Sequence, residues 1–208
     1  MKNKIQEIQH LWDKAVLDYD LHMRSTGHFL AQEKLLEKLL IYVTSPVLDL
    51  ASGTGFLTGK LLKKDFDVTL NDFSSGMYEF LSEEFQGDPR ATISNQDSHE
   101  ITFNEKFNTV VCNNLFYYLQ DRPQAIQSWM NLLNDGGKII LFEEYPFIKP
   151  ETEEMSDHEK SLMELIDPIS PQDIQKLFEE KELKLIKEEK VSIDDSHELH
   201  GFVFERST

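Results

Sequence analysis

The sequence predicts an α/β protein whose sheet is doubly wound and mostly parallel, with seven strands, helices on both faces and an antiparallel hairpin at the C-terminal end. Two observations carry this prediction. Between residues 47 and 181, apolar β-branched segments alternate with segments of helical apolar spacing, which is typical of parallel strands joined by crossover helices. Two further strand-like segments, 183–193 and 199–205, are separated only by a short turn, so they must pair antiparallel.

The first strand and its helix contain the most informative segment, which reads V-L-D-L-A-S-G-T-G-F-L-T-G-K from residue 47 to residue 60. A buried strand, a glycine turn and a helix in this order bring a ligand against bare backbone and a helix N-terminus. Gly53 and Gly55 allow backbone angles and a close approach that a side chain would block. Asp49 is unusual, because a carboxylate in an apolar strand costs free energy unless it is hydrogen-bonded or paired. It either braces the turn or also faces a cationic ligand.

The other elements follow from local pattern. Helices are expected at 32–42, 56–64, about 75–85, from 121 onward and at 171–181. Strands are expected at 67–72, 90–94, 107–112 and 138–142. Ahead of all of these, apolar residues recur at intervals of three and four from Ile5 to Val16, which predicts an amphipathic helix.

Composition limits the classes of partner. The chain has 208 residues and a formal net charge of −17, from 21 basic and 38 acidic residues. This field repels phosphate backbones and anionic lipids, so we expect neither a nucleic-acid nor a membrane partner and favour a small molecule. The single cysteine, Cys112, excludes an internal disulfide and is typical of a buried apolar residue in a reducing compartment. The N-terminus lacks a signal-peptide core, and we expect a cytoplasmic protein of undetermined oligomeric state.

Several segments together resemble the class I S-adenosylmethionine-dependent methyltransferases. D-L-A-S-G-T-G at 49–55 resembles their cofactor loop, an acidic residue followed by Gly-x-Gly-x-Gly, except that Ala51 stands at the first glycine. D-F-S-S-G-M from Asp72 matches their Asp-x-Ser-x-x-Met, and Asp97-Ser98 resembles their acidic-plus-small pair. Among the branches, the chain looks most like small-molecule enzymes of ubiquinone and menaquinone biosynthesis. The resemblance implies a Rossmann-like fold, S-adenosyl-L-methionine as cofactor and S-adenosyl-L-homocysteine as product.

Asp72 follows the glycines by about 20 residues and ends the second strand, where a carboxylate accepts hydrogen bonds from ribose hydroxyls. The alternative role is a cap for the next helix, although Ser74 or Ser75 can supply one. The resemblance implies adenine contacts for Asp97 and Ser98, for which a plain turn is the alternative. The predicted cofactor-binding residues are Tyr19, Asp49, Ala51, Ser52, Gly53, Gly55, Asp72, Phe73, Met77, Asp97, Ser98, Asn113 and Asn114.

Catalysis by this family needs no special nucleophile, because the cofactor supplies the reactivity, and we expect no metal site. A base is useful if the acceptor is a hydroxyl. The candidate catalytic residues are Tyr19, His22, His28, Glu143 and Glu144. Tyr117–Tyr118 stands where relatives often have a His pair; these tyrosines either pack or orient the substrate.

The resemblance also implies a division of the chain into a cap, a domain and an insertion. Residues 1–31 are expected to form a helical cap that closes over the cofactor, residues 32–208 the methyltransferase domain, and 148–170 an inserted loop and helix on the substrate side. The expected activity is transfer of a methyl group to O or N of a small molecule. Two alternatives stay open: an NAD-dependent oxidoreductase, because the two glycines and Asp72 also roughly fit that fingerprint, and a non-catalytic protein that binds an adenosyl ligand.

Overall fold

The computed structural model describes residues 2–147 and 157–206, and within them the fold is a single seven-stranded sheet of order β3-β2-β1-β4-β5-β7-β6. Every neighbouring pair is parallel except those that involve β7, which runs antiparallel to both β5 and β6. The predicted fold class is therefore confirmed. The strands are β1 (Val47–Asp49), β2 (Val68–Asn71), β3 (Ala91–Ser94), β4 (Phe107–Asn113), β5 (Leu133–Tyr145), β6 (Leu183–Ser192) and β7 (Glu198–Arg206).

Helices cover both faces of this sheet. They are α1 (Lys2–Ser25), α2 (His28–Leu39), α3 (Phe56–Leu62), α4 (Ser75–Glu84), α5 (Arg122–Asn131), α6 (Asp157–Leu165) and α7 (Pro171–Glu179), with short 3₁₀ turns at Leu40–Tyr42 and Phe116–Tyr118. Successive strand residues point to opposite faces, so Val110 packs in the core under α5, α6 and α7 while Val111 packs under α2, α3 and α4. Both residues are fully buried, as expected for parallel strands covered on both sides.

Side-chain caps fix where three of these helices begin. Ser74 accepts a hydrogen bond from the Met77 amide at the start of α4 (3.1 Å), and Asp121 accepts one from the Gln124 amide at the start of α5 (3.0 Å). Ser170 caps α7 in the same way. Each such cap stabilises a helix by about 1 kcal/mol. Ser74 thus supplies the cap of α4 that was the alternative role of Asp72.

Two elements begin several residues before their predicted starts. β5 begins at Leu133 rather than 138, because Leu133 already pairs with Phe107 before a register shift in the ladder. α2 begins at His28 rather than 32, directly after Gly27, which has a φ of 81°. Residues 31 and 32 therefore lie within one helix, and the division into cap and domain stays a prediction. Of the predicted insertion 148–170, residues 148–156 lie outside the described part of the chain.

Helix α1 is held on the turn between β2 and α4. One carboxylate oxygen of Asp13 accepts hydrogen bonds from the Ser74 hydroxyl (2.7 Å) and the Gly76 amide (3.1 Å), and the Gln9 amide group donates to the Phe73 carbonyl (3.0 Å). The helices approach so closely that a Cβ at Gly76 would lie 2.9 Å from the Asp13 carbonyl oxygen. These contacts position α1 over the carboxyl ends of the central strands. No helix in residues 2–147 or 157–206 combines the length and the apolar character needed to cross a bilayer.

Candidate active site

A cavity of about 840 Å³ lies between α1 and the carboxyl ends of the parallel strands. Ligands of open α/β sheets bind at this edge, where the chain leaves β1 and β4 in opposite directions. Most of the predicted cofactor-binding residues line the cavity: Tyr19, Ala51, Gly53, Asp72, Phe73, Met77, Asp97, Ser98, Asn113 and Asn114. The structure thus brings together side chains from α1 and from the exits of four strands.

The glycine turn is held in place by Asp72. One carboxylate oxygen of Asp72 accepts a hydrogen bond from the Gly53 amide (2.8 Å) and the other from the Ser74 amide (2.9 Å). Withdrawal from bulk water raises the pKa of Asp72 to about 7, and these two hydrogen bonds oppose the shift. Gly53 has a φ of 55° and faces the Tyr19 ring. Gly55 lies outside the cavity lining; its φ is 78°, and a Cβ there would overlap the Phe85 ring.

Asp49 lies beside a much smaller second cavity of about 20 Å³, which shares Tyr19, Ala51 and Asn113 with the large one. One of its carboxylate oxygens accepts a hydrogen bond from the Thr58 hydroxyl (2.7 Å), and burial raises its pKa to about 6. Its other oxygen is buried and has no partner among the described residues. Ser52, also predicted to bind the cofactor, lines this second cavity.

Two other polar side-chain atoms at the second cavity are also buried without a partner in the described part of the chain. They are the Gln32 amide nitrogen and the Asn113 side-chain oxygen. Leaving such a group unsatisfied costs about 1–3 kcal/mol, so a cluster of them calls for an explanation. Together with Asp49 they offer two acceptors and one donor in a small space. An α-amino acid group, with its ammonium and carboxylate, matches this set.

Asp97 and Ser98 have partners inside the protein. The Asp97 carboxylate accepts a hydrogen bond from the His99 amide (2.9 Å) and contacts the His99 ring nitrogen Nδ1 (2.7 Å). Burial alone would raise the pKa of Asp97, but these hydrogen bonds outweigh it and the pKa is lowered. The Ser98 hydroxyl donates to the Leu50 carbonyl (3.0 Å). Both residues line the large cavity, and their contacts with adenine stay predictions.

The candidate catalytic residues divide into two groups. Tyr19, His22, His28 and Glu144 line the large cavity, whereas Glu143 does not. Glu143 is 1% exposed and accepts a hydrogen bond from the Phe116 amide (3.1 Å), which holds it in the core beside Cys112. Burial raises its pKa to about 8. The two adjacent glutamates of β5 therefore point to opposite sides, because side chains alternate along a strand.

His28 and Glu144 form a pair in the cavity wall. His28 Nε2 lies 3.2 Å from Glu144 Oε1, and its Nδ1 lies 2.6 Å from the Thr26 hydroxyl. The Glu144 residue is 5% exposed. Tyr19 remains a neutral phenol, since burial and the nearby carboxylates raise its pKa above the usual range. Among the described residues, no three His, Cys, Asp or Glu side chains are arranged to hold a metal ion.

Tyr117 and Tyr118 differ in whether they line the cavity and in whether their hydroxyls have a partner. The Tyr117 hydroxyl donates to the Glu144 carbonyl and packs in the core, so it has the structural role. Tyr118 lines the cavity, and its buried hydroxyl has no partner among the residues described here. Its ring contacts Trp12 and Phe147 edge to face.

Sequence reasoning missed several residues of the site. A usable signal existed for Gln32, which shares the apolar face of α2 with Leu35, Leu36 and Leu39 at intervals of three, four and seven and is 1% exposed. Asp13 and the hairpin-turn residue His197 gave none, because only tertiary folding brings them to the site.

A parallel sheet with an antiparallel seventh strand, a glycine turn braced by a carboxylate and a cavity over the strand ends define a Rossmann-like ligand-binding protein. The family model described as "Methyltransferase domain" matches residues 47–137. An uncharacterized methyltransferase of Anoxybacillus flavithermus is 31% identical over 146 residues, 69% of this chain and 66% of the relative. The chain therefore belongs to the class I S-adenosylmethionine-dependent methyltransferases, whose methyl donor is the cofactor predicted from the sequence.

Two further similarities bear on the fold and the family. Glycine/sarcosine N-methyltransferase of Halorhodospira halochloris is 31% identical over 145 residues, 62% of this chain and 49% of that protein. The glycopeptide N-methyltransferase MtfA, solved with S-adenosyl-L-methionine, has the same fold, with a TM-score of 0.64 at 18% identity over 85% of this chain and 92% of MtfA. The chain spans less than two thirds of the length of these sequence relatives. The narrower resemblance to the ubiquinone and menaquinone branch stays a prediction.

Proposed function

We propose that this chain binds S-adenosyl-L-methionine in the large cavity and transfers its methyl group to O or N of a small-molecule acceptor. One observation supports this most strongly. Asp49, Asn113 and Gln32 present two acceptors and a donor, all buried and all without partners among the described residues, at the small second cavity beside the large one. A cofactor that ends in an amino acid group satisfies all three atoms. A dinucleotide has no ammonium group to offer Asp49.

Other residues of the chain fit the rest of the cofactor. Each Asp72 oxygen has a second lone pair beyond the one used by a backbone amide, so both ribose hydroxyls can donate to it. Gly53 leaves the backbone of the turn open to the ligand. Phe73 and Met77 supply apolar surface for the base.

When bound, the cofactor supplies an activated methyl group on a positively charged sulfur. The chain's own contribution is to orient the acceptor and exclude water, which is worth at most about 7–11 kcal/mol of the barrier. Helix α1 serves both purposes, because Trp12 and Tyr19 cover the strand ends. A volume of about 840 Å³ lies in the upper part of the range for ligand sites, roughly 300–1,000 Å³, which supports a cofactor and a small acceptor side by side.

Calorimetry with S-adenosyl-L-homocysteine tests the proposal. We expect binding, and we expect Gln32→Leu to weaken it about tenfold, or about 1.4 kcal/mol, because the ligand carboxylate loses its donor. Gln127→Leu is the matched control: Gln127 bonds Asn131 on the exposed side of α5 (3.3 Å) and should leave the affinity unchanged. Absence of binding at high micromolar ligand would remove the proposal.

Two alternatives are separated by simple additions to this experiment. An NAD-dependent oxidoreductase would release S-adenosyl-L-homocysteine when NADH is added, whereas the methyltransferase would not. A non-catalytic ligand-binding protein would bind the cofactor yet label no acceptor in a screen with a labelled methyl donor. The cytoplasmic location and the lack of nucleic-acid and membrane partners stay predictions.

A further inference from the structure

Tyr118 lines the cavity, and its hydroxyl is a buried polar group. The residue is 6% exposed, and its hydroxyl has no hydrogen-bond partner within the described residues. The ring is fixed by Trp12 and Phe147, whose centroids lie 5.7 and 5.9 Å from its own in edge-to-face contacts. Buried tyrosine hydroxyls usually find a partner. A rigid ring with an unused donor therefore indicates that a ligand supplies the acceptor.

A proton acceptor lines the same cavity. The Glu144 carboxylate is held by His28, whose ring is anchored in turn by the Thr26 hydroxyl. Burial raises the pKa of the Tyr118 phenol well above its usual range, and the nearby Tyr19, Glu143 and Glu144 add to the shift. Tyr118 is thus kept protonated as a donor, while the His28–Glu144 pair offers an acceptor.

The side chains of the cavity wall restrict which chemical class of methyl acceptor can bind. A carboxylic acid would meet the carboxylates of Glu144 and Asp18 in a chain of net charge −17. An amine beside the same carboxylates would be held as an ammonium, which has no lone pair to accept a hydrogen bond from Tyr118. A neutral hydroxyl both donates and accepts, so it satisfies both groups. Leu11, Leu115 and Leu162 add apolar surface for the rest of the molecule.

We propose that the acceptor is an uncharged molecule with an apolar body and a hydroxyl group, whose oxygen accepts a hydrogen bond from Tyr118 while the Glu144 carboxylate, held by His28, receives its proton. This inference rests on the proposed function and assigns its acceptor class. Transfer forms a bond between the hydroxyl oxygen and the methyl carbon. The carbon–sulfur bond breaks with its electron pair left on sulfur, and the hydroxyl proton passes to a Glu144 carboxylate oxygen.

The test uses 4-nitrophenol as a probe with the protein saturated in S-adenosyl-L-homocysteine, at a pH where the free probe is mostly protonated. Its ionised form absorbs visible light, so one titration gives both affinity and the ionised fraction without turnover. We expect the probe to bind in its protonated form, so that a smaller fraction is ionised in the complex than in solution. Tyr118→Phe should weaken binding about tenfold, and Glu144→Gln should raise the ionised fraction of the bound probe, because the neighbouring negative charge is removed.

Tyr78→Phe is the matched control, because Tyr78 is an exposed tyrosine outside the cavity lining. It should keep the probe affinity within about twofold. Tyr118→Phe removes a hydroxyl with no partner among the described residues, so it should fold as well as the wild type. Equal probe affinity in Tyr118→Phe and wild type overturns the inference, and so does tighter binding of benzylamine than of 4-nitrophenol. If the wild type fails to bind S-adenosyl-L-homocysteine, the proposed function itself fails.

Discussion

Along the carboxyl ends of the strands, two stretches of cavity wall are built differently: a first edge at the exits of β1 and β2, and a second edge at the exit of β5. At the exits of β1 and β2, Asp72 accepts hydrogen bonds from the backbone amides of Gly53 and Ser74, and Asp49 accepts one from Thr58. The partners in each bond are at most 19 positions apart in the chain. At the exit of β5, Glu144 bonds a histidine 116 residues earlier. The first edge is therefore specified by local sequence and resembles a shared cofactor loop. The second depends on how α2 packs on the sheet, so no short segment of the sequence specifies it.

Removing Asp72 should give the largest effect on ligand affinity, because this residue both braces the glycine turn and faces the large cavity. Asp72→Ala leaves the Gly53 and Ser74 amides without their acceptor. We expect the affinity for S-adenosyl-L-homocysteine to fall 100-fold or more, about 3 kcal/mol, in calorimetry.

Asp88→Ala is the control for Asp72→Ala. Asp88 also accepts a backbone amide two residues on, from Arg90 (3.0 Å), but it lies outside the cavity lining. Its loss should leave the affinity unchanged. An Asp72→Ala protein that binds within threefold of the wild type would contradict the role given to this edge.

Glu143 tests whether adjacent carboxylates of one strand have separate roles. Its folded pKa of about 8 exceeds the ordinary value of 4.5, so the wild type loses stability as pH rises from 4.5 to 8, when the unfolded state ionises first. Glu143→Gln lacks this loss. Across that range, urea unfolding should shift in favour of the variant by up to about 5 kcal/mol.

The same Glu143→Gln protein should bind S-adenosyl-L-homocysteine as tightly as the wild type, because Glu143 lies in the core and not in the cavity wall. A weakened affinity would mean that the two edges communicate through the core. A pH-independent difference in stability would mean that Glu143 ionises normally when folded.

Gly76 tests how α1 is held over both edges. In Gly76→Ala the new methyl group lies 2.9 Å from the Asp13 carbonyl oxygen, so α1 must shift. We expect a loss of about 2 kcal/mol in the free energy of unfolding. Gly59→Ala is the matched control within α3: its nearest neighbour is the Phe85 ring at 3.9 Å, so the change should stabilise by up to about 1 kcal/mol. The same sign for both variants would refute the close approach.

Asp49→Asn gives the smallest expected change, in opposite directions for stability and binding. The folded pKa of about 6 lies above the ordinary 3.8, so ionisation of Asp49 makes the unliganded wild type less stable as pH rises between these values. The variant should lack this slope in thermal unfolding. Above pH 6 its affinity for S-adenosyl-L-homocysteine should be about tenfold lower, because the amide offers no charge to the ligand ammonium. Unchanged affinity would separate Asp49 from the ligand.

The sequence by itself determined the elements whose causes are local. The alternation of apolar strands and amphipathic helices set the sheet, and Ser74, Asp121 and Ser170 cap their helices through side chains three residues from the amides they bond. The glycine turn was equally readable, but the carboxylate that accepts the Gly53 amide is Asp72, whereas the sequence suggested Asp49 as the residue that braces the turn.

Only the tertiary structure decided which side chains share the cavity. The sequence does not distinguish Glu143 from Glu144, yet Glu143 lies in the core and Glu144 in the cavity wall. Alternation along a strand places them on opposite faces, but which face is which depends on how the helices pack. The same holds for Tyr117 and Tyr118, and for Gln32, whose burial near Asp49 depends on α2 packing against α3 and β7. Contacts between residues distant in the chain are fixed by packing, which no local spacing encodes.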